Sequence, residues 1–387
     1  MNRANTIAVV APRHAVGDAI GGAETLLRAL ALRAAQAGRQ VRLLTTCAAD
    51  HFTWDNTRPP GIVRDGSIEV EYFPVSPRNR ERFLSLQAAI SRRQPLSRAE
   101  QEEWIAHSLH SDALYEHVQR TAYDRILVGP YLFGLAVELV RRAPDRTLLV
   151  PCLHDEPFAY TEPISAMFRS ARGFLFNSEP ERDLARRLYG IDAARARVVG
   201  IGLDPFDADP GAFAARQGWN FRYLIYSGRR EPAKGTPMLI EYVRVFRERT
   251  GHDLHLVLTG RGPVEPLPFV HDVGVLSEED KHAAMAGAVA LAHPSRLESL
   301  GIVLLEAWMV RTPALVHQAS EVLRWHCERA QAGLWFRHYP DFEVCLDRLL
   351  SDDSLRRALG RQGREYVLRH YSWPAVETRL FQALDEL

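Results

Sequence analysis

Short apolar runs alternate with stretches whose apolar residues recur at helical spacing along nearly the whole chain. Residues 7–11 form the first apolar run and predict a strand. Residues 23–37 predict a helix, because Leu26, Leu27, Leu30 and Ala34 repeat on one face. Gly38 ends that helix. Further strands are predicted at 41–45, 126–129, 147–151 and 173–176. The rhythm restarts near Arg222, with strands at 223–226, 254–258, 289–292 and 314–316. Helices are predicted at 237–249, after Ser277, and from Gly301. Strands too short and too apolar to alternate in character imply sheets buried on both faces, as in parallel α/β folds. Residues 200–211, rich in Gly, Pro and Asp, read as a linker. The expected organisation is a domain of 1–200 followed by a second of 201–370.

Composition narrows the classes. A chain of 387 residues with 46% hydrophobic content has room for two ordinary cores. Its 48 basic and 48 acidic residues cancel, which removes any global pull toward nucleic acid. No apolar run approaches the length of a membrane span, and the first lacks a basic leader, so a cytoplasmic protein is expected. The four cysteines, Cys47, Cys152, Cys327 and Cys345, fit no zinc or redox spacing. Only Lys234 and Lys281 among the 48 basic residues are lysine; a position that keeps lysine in so arginine-rich a chain points to a need for a compact ammonium.

Candidate chemistry gathers at strand-to-helix turns. Glu298 and Glu306 stand eight positions apart, the first on a loop and the second in the helix opened by Gly301. The backbone N–H groups of Ser299, Leu300, Gly301 and Ile302 lie between them, where a helix start attracts anions. Two hydroxyl acceptors flanking an anion site suit a molecule with phosphate in the middle and hydroxyls at both ends, such as a nucleotide sugar. Upstream, Ser227-Gly228-Arg229-Arg230-Glu231-Pro232-Ala233-Lys234-Gly235 follows a strand and precedes a helix. Arg229 and Lys234 there can stabilise a departing diphosphate; a basic surface turn is the plainer reading. Gly17, Gly21 and Gly22 occupy the first such turn, without the dinucleotide fingerprint. His154 ends a predicted strand. Asp207-Ala208-Asp209 imitates a metal motif but sits in the linker without neighbouring ligands, so no metal site is assigned. In residues 78–98, six arginines and one glutamate flank the helically spaced Phe83, Leu86 and Ile90. That stretch reads either as a peripheral contact on the inner face of a membrane or as a solvated helix packed on its own domain.

These motifs, in this order, resemble the retaining glycosyltransferases of family 4, the glycosyl transferases group 1 set. Gly228-Arg229 with Lys234-Gly235 is similar to that family's diphosphate loop, and Glu298 with Glu306 to its paired-glutamate motif. Gly21-Gly22, His154, Gly260-Arg261-Gly262-Pro263 and Gly274-Val275-Leu276 also match family features. The resemblance implies an α/β GT-B fold, two Rossmann-like doubly wound domains facing across a cleft. The first is then the acceptor side, with a tail of 371–387 crossing back to it, and the second binds the donor. It implies metal-independent transfer of a sugar from a nucleotide diphosphate sugar to a glycan or lipid-linked, cell-envelope acceptor, with no other cofactor. His154, Arg229, Lys234 and Glu298 are the implied catalytic residues. Gly21, Gly22, Gly228, Gly260, Leu276, Ser299, Leu300, Gly301, Ile302 and Glu306 are the implied donor contacts. An epimerase, a phosphorylase or a silent donor-binding scaffold on the same fold are the rival expectations. Leu300, Trp308 and His317 depart from the family pattern near the implied sugar pocket.

Overall fold

The apolar runs assemble into two sheets. The computed structural model describes residues 5–16, 21–50 and 52–387. The first sheet contains β1 (Thr6–Val10), β2 (Gln40–Thr46), β3 (Gly61–Asp65), β4 (Ile68–Phe73), β5 (Arg125–Val128), β6 (Thr147–Leu149), β7 (Gly173–Phe176) and β8 (Ala196–Val198). Its order is β3-β4-β2-β1-β5-β6-β7-β8. β3 runs antiparallel to β4, and the other neighbours pair in parallel. The second sheet contains β9 (Arg222–Ser227), β10 (Leu254–Thr259), β11 (Val270–Gly274), β12 (Ala290–His293), β13 (Ala314–His317) and β14 (Gly333–Phe336). Its order is β11-β10-β9-β12-β13-β14, parallel throughout.

Both faces of each sheet are covered, which is why the strands read as unbroken apolar runs. Ala8, Val10, Ile126 and Val128 join one cluster of the first core, while Ile7, Val9 and Leu127, pointing the other way, are equally buried. In the second core Leu224, Tyr226, Leu256 and Leu258 play the first role and Ile225 and Val257 the second.

The chain divides into two units, Met1–Ile201 with Val376–Leu387, and Gly202–Ala375. The last helical turns belong to the first unit: Arg39 forks onto Asp385 at 2.8 and 3.0 Å, and Arg197 reaches Glu386 at 2.9 Å. Just before the crossing, Ser372 bridges Leu203, and Trp373 lies so close to Gly202 that a Cβ there would sit 2.4 Å from the indole.

The linker is more ordered than its composition suggested. Asp209 caps the helix Pro210–Gln217 by accepting from the Gly211 N–H at 2.8 Å. Asp207 pairs with Arg364 at 2.9 Å. The Asp-Ala-Asp triplet is thus a helix cap and an ion pair. Asp209→Ala is expected to cost about 1 kcal/mol in a urea unfolding curve, the usual loss of an N-cap; an unchanged midpoint would show the cap to be idle.

Residues 78–98 form no single helix. Asn79 caps Arg80–Ser91, and Ser97 with Glu100 boxes the next helix, Arg98–Ala106. Leu86 and Ile90 are buried in the first core and Phe83 packs against it. The apolar stripe therefore faces the unit itself. Among the described residues no helix is long and apolar enough to cross a membrane.

Candidate donor site

Open α/β sheets bind ligands beyond the strand ends where the strand order reverses. In the second sheet that point lies between β9 and β12, which pair at Leu224–Ala290 and Ile225–Leu291. The loop after β9 carries Lys234 and the loop after β12 carries Glu298, so topology alone makes them neighbours.

Gly235 sets the approach. Its φ is +78°, and a Cβ there would meet the Pro294 carbonyl oxygen at 2.8 Å. With the two loops so close, Lys234 Nζ donates to Glu298 Oε1 at 2.7 Å. His293, buried at the end of β12, places Nε2 3.7 Å from the same oxygen. Burial pushes the His293 imidazole below its ordinary pKa, the Glu298 carboxylate opposing this and Lys234 adding to it.

Downstream, Gly301 adopts φ +81° and opens the helix Ile302–Met309 without a side-chain cap. Leu323 would collide with any Cβ at Gly301, at 2.5 Å. The first N–H groups of this helix therefore have no side-chain acceptor, the condition for binding an anion. Glu306 lies one turn further in. Its carboxylate oxygens are both 3.1 Å from Lys281 Nζ, on the helix Glu278–Ala286. Burial pushes the Glu306 carboxyl up, and Lys281 partly opposes that. Burial would lower the Lys281 ammonium, but Glu306 and Glu278 outweigh it and keep the lysine charged. The chain's two lysines thus each pair with one glutamate of the Glu298/Glu306 set.

Glu278, His282 and Glu306 form a group of potential metal ligands that sequence spacing did not reveal. The Lys281 ammonium already lies 2.9 Å from both Glu278 oxygens and 3.1 Å from Glu306. A fixed positive charge therefore stands where a cation would have to bind, and the donor set does not favour one.

Other expected residues have different settings. Arg229 is half-exposed and pairs with Glu231 at 3.1 Å. Its neighbour Arg230 is the buried one, donating to the Gly260 and Gly262 carbonyls at 2.8 and 2.9 Å and to Asp272 at 3.0 Å. Arg230 thus ties the β9 loop to the β10 loop. Gly228 and Gly260 serve the same junction: a Cβ on Gly260, at φ +115°, would stand 2.1 Å from the Gly228 carbonyl oxygen. The Leu300 side chain is buried, so that residue offers a ligand only its backbone. Leu276 is half-buried just beyond β11, and Ser299 sits on the loop before Gly301.

In the first unit, Gly21 is the N-cap residue of Gly22–Gln36 and leaves room for the Glu24 carboxylate, which would lie 2.3 Å from a Cβ. Glu24 is buried and forked by Arg13 at 2.6 and 2.9 Å. Gly17 lies outside the described residues. His154 follows β6, one-quarter exposed, with Nδ1 3.5 Å from Glu156. Its loop is held by Glu181, a residue that no sequence motif singled out. Glu181 accepts from the Leu153 N–H at 2.7 Å and the Asn177 N–H at 2.5 Å, bridging the ends of β6 and β7. Complete burial pushes its carboxyl up to about 8 against the lowering effect of those N–H groups.

Residues 214–366 match the family described as Glycosyl transferases group 1. An alpha-D-kanosaminyltransferase of Streptomyces kanamyceticus is 28% identical over 232 residues, 55% of this chain and 60% of that protein. An MMP alpha-(1->4)-mannosyltransferase of Mycolicibacterium hassiacum is 28% identical over 200 residues, 49% of this chain and 47% of its own length. The chain thus aligns with only about half of these relatives' lengths. Among solved structures, a sucrose-phosphate synthase from Thermosynechococcus elongatus superposes with a TM-score of 0.74 at 17% identity, covering 98% of both chains. Anabaena HepE, solved with UDP-glucose, gives 0.69 at 15% identity, over 98% of this chain and 99% of its own. The chain therefore has the GT-B fold, and its residues 214–366 match the Glycosyl transferases group 1 family.

Proposed function

We propose that this chain is a retaining glycosyltransferase that takes a sugar from a nucleotide diphosphate sugar without a metal. The observation that carries the reading is the paired arrangement of Lys234 with Glu298 and Lys281 with Glu306 on either side of an uncapped helix start. Glu306 accepts from the ribose hydroxyls. The diphosphate lies at the N–H groups of Ile302 and its neighbours and draws on Lys234 and Arg229. Glu298 accepts from a hydroxyl of the transferred sugar. As the glycosidic C–O bond breaks, negative charge collects on the diphosphate, and those donors stabilise it more than the ground state. A phosphate oxygen of the leaving group takes the acceptor's proton as the new C–O bond forms on the same face. His154 is assigned to the sugar in this scheme. The names of the relatives support sugar transfer as the reaction class. The acceptor is proposed to be a glycan or lipid-linked, cell-envelope molecule. The exposed Arg80, Arg92, Arg93 and Arg98 are proposed as an electrostatic contact with an anionic membrane on the cytoplasmic side.

A nucleotide diphosphate at about 100 times its Kd stabilises by about 2.7 kcal/mol. That corresponds to a rise in Tm of roughly 5 °C for a unit of this size. Thermal shift with UDP, GDP, ADP and TDP should show such a rise with at least one of them. A flat response to all four, and to their sugars, would remove the basis of the proposal.

A further inference from the structure

We propose that the first unit carries a second anion site, at Arg78 and Arg80, built for a phosphate ester. A cavity of about 300 Å³ opens beyond the C-terminal ends of β2 and β4, lined in part by Trp54, Asp55, Asn56, Ser76, Arg78 and Arg80. That is the edge of a parallel sheet at which ligands bind.

The walls are held in place. Asn56 Oδ1 accepts from the Val75 N–H at 2.8 Å, and Asn56 Nδ2 donates to the Val75 carbonyl at 3.1 Å, which joins the loop after β2 to the loop after β4. Trp54 is buried in a left-handed backbone conformation, φ +57°. Arg78 donates from Nη2 to the Thr53 carbonyl at 2.6 Å and stacks over Phe83 at 5.7 Å. Its guanidinium is therefore oriented before any ligand arrives.

The charge is not compensated. Among the described residues no carboxylate forms an ion pair with Arg78 or Arg80, whereas Arg13 pairs with Glu24 and Arg82 with Glu103. Arg78 Nη1 is buried without a hydrogen-bond partner. A charged donor left this way is costly, and an oxyanion beside the guanidinium would offset that cost through its charge. Burial and the like charge of Arg80 both bear against the Arg78 cation, while Asp55 is the one acid that eases it. Asp55 is exposed at the rim, so two guanidiniums face one carboxylate. The helix Arg80–Ser91 also begins here. Asn79 satisfies the Arg82 N–H, leaving the Arg80 and Glu81 N–H groups and the positive end of the helix toward the same space. Trp54 and Asn56 supply an apolar wall and a polar amide beside the anion, which suits an ester of a hydroxylated molecule over a bare ion.

The anion site stands on these contacts alone. Its reading as an anchor for the acceptor rests on the proposed transferase function. Calorimetric titration with glucose 6-phosphate should show saturable binding where glucose shows none. Arg80→Gln, at an exposed position, and Arg78→Gln should each weaken it by roughly tenfold or more, the value of a charge-assisted contact. UDP binding should be unchanged in both. Sedimentation with phosphatidylcholine vesicles containing phosphatidylglycerol separates the two sources of phosphate. Loss of vesicle binding in Arg80→Gln, without a sugar-phosphate effect, would make the ligand a lipid headgroup. Absence of arginine-dependent binding in both arms would overturn the site. So would loss of sugar-phosphate binding in Lys234→Ala with Arg78→Gln and Arg80→Gln unaffected, which would place the phosphate at the donor loop. If no nucleotide diphosphate binds while arginine-dependent phosphate binding persists, the donor reading falls and the anion site stands.

Discussion

Replacing Lys234 by alanine is expected to lower kcat/KM for sugar transfer by roughly 100-fold or more, the usual loss for a donor aimed at charge that develops in the transition state. Its ammonium is 2.7 Å from Glu298 and one-quarter exposed, so it can serve the carboxylate and a diphosphate together. The loss should fall mainly on kcat, with donor KM changing less, because the leaving group gains its charge as the bond breaks. Lys234→Arg should recover only part of the rate. A planar fork is a poor replacement for a compact ammonium in a loop pressed against the Pro294 carbonyl. Steady-state kinetics on the two variants, with urea unfolding as a control for folding, decide the matter. Near-normal transfer by the alanine variant would end the assignment.

The second large effect concerns stability. Lys281→Met leaves the Glu306 carboxyl buried without its ammonium, and breaking a buried pair from one side costs about 3–5 kcal/mol. Glu306→Leu should cost less, because Lys281 keeps Glu278 at 2.9 Å. The double variant should be more stable than the sum of the two losses implies, by about 1–3 kcal/mol of coupling. The pH dependence has a definite sign. Burial already raises the Glu306 pKa above its unfolded value. The folded state then binds its proton more tightly than the unfolded state, so this group's contribution to stability falls as pH rises through the carboxyl's titration. Removing the ammonium strengthens that trend. The deficit of Lys281→Met should therefore be larger at pH 8 than at pH 5. Additive losses, or a deficit that shrinks with rising pH, would contradict the pairing.

How far the sequence reached depends on what kind of information each feature needs. The central strands were legible because burial on both faces leaves an apolar run with no polar interruptions, as at Ile7, Ala8, Val9 and Val10. β3 and β4 were not: Ile62 and Val63 are exposed on an edge strand, and the hairpin mixes polar with apolar residues. The stretch 78–98 left two readings open because an apolar stripe has the same spacing whether it meets lipid or its own core; Leu86 and Ile90 go into the core. Lys234 and Lys281 were visible as compositional exceptions. Their partners were not, since Glu298 is 64 positions from Lys234 and Glu306 is 25 from Lys281, and only the fold sets which ends meet. Arg229 and Arg230 are chemically identical in sequence, and the geometry of the β9 loop decides that the second is the buried tie. Glu181 was out of reach for a similar reason: its partners are backbone N–H groups, which carry no residue identity.

The bridge between Leu203 and Ser372 has a consequence for synthesis. The segment Gly202–Ala375 enters and leaves through adjacent strands of backbone, so it is continuous and can close its own sheet as soon as it has emerged from a ribosome. The first unit can close its sheet as early, but some of its ion pairs come from beyond the second unit. Arg39 waits for Asp385 and Arg197 for Glu386, both translated after the second unit. The part made first is the part completed last, and a chain cut shortly after residue 375 would leave a finished second unit attached to an unfinished first one.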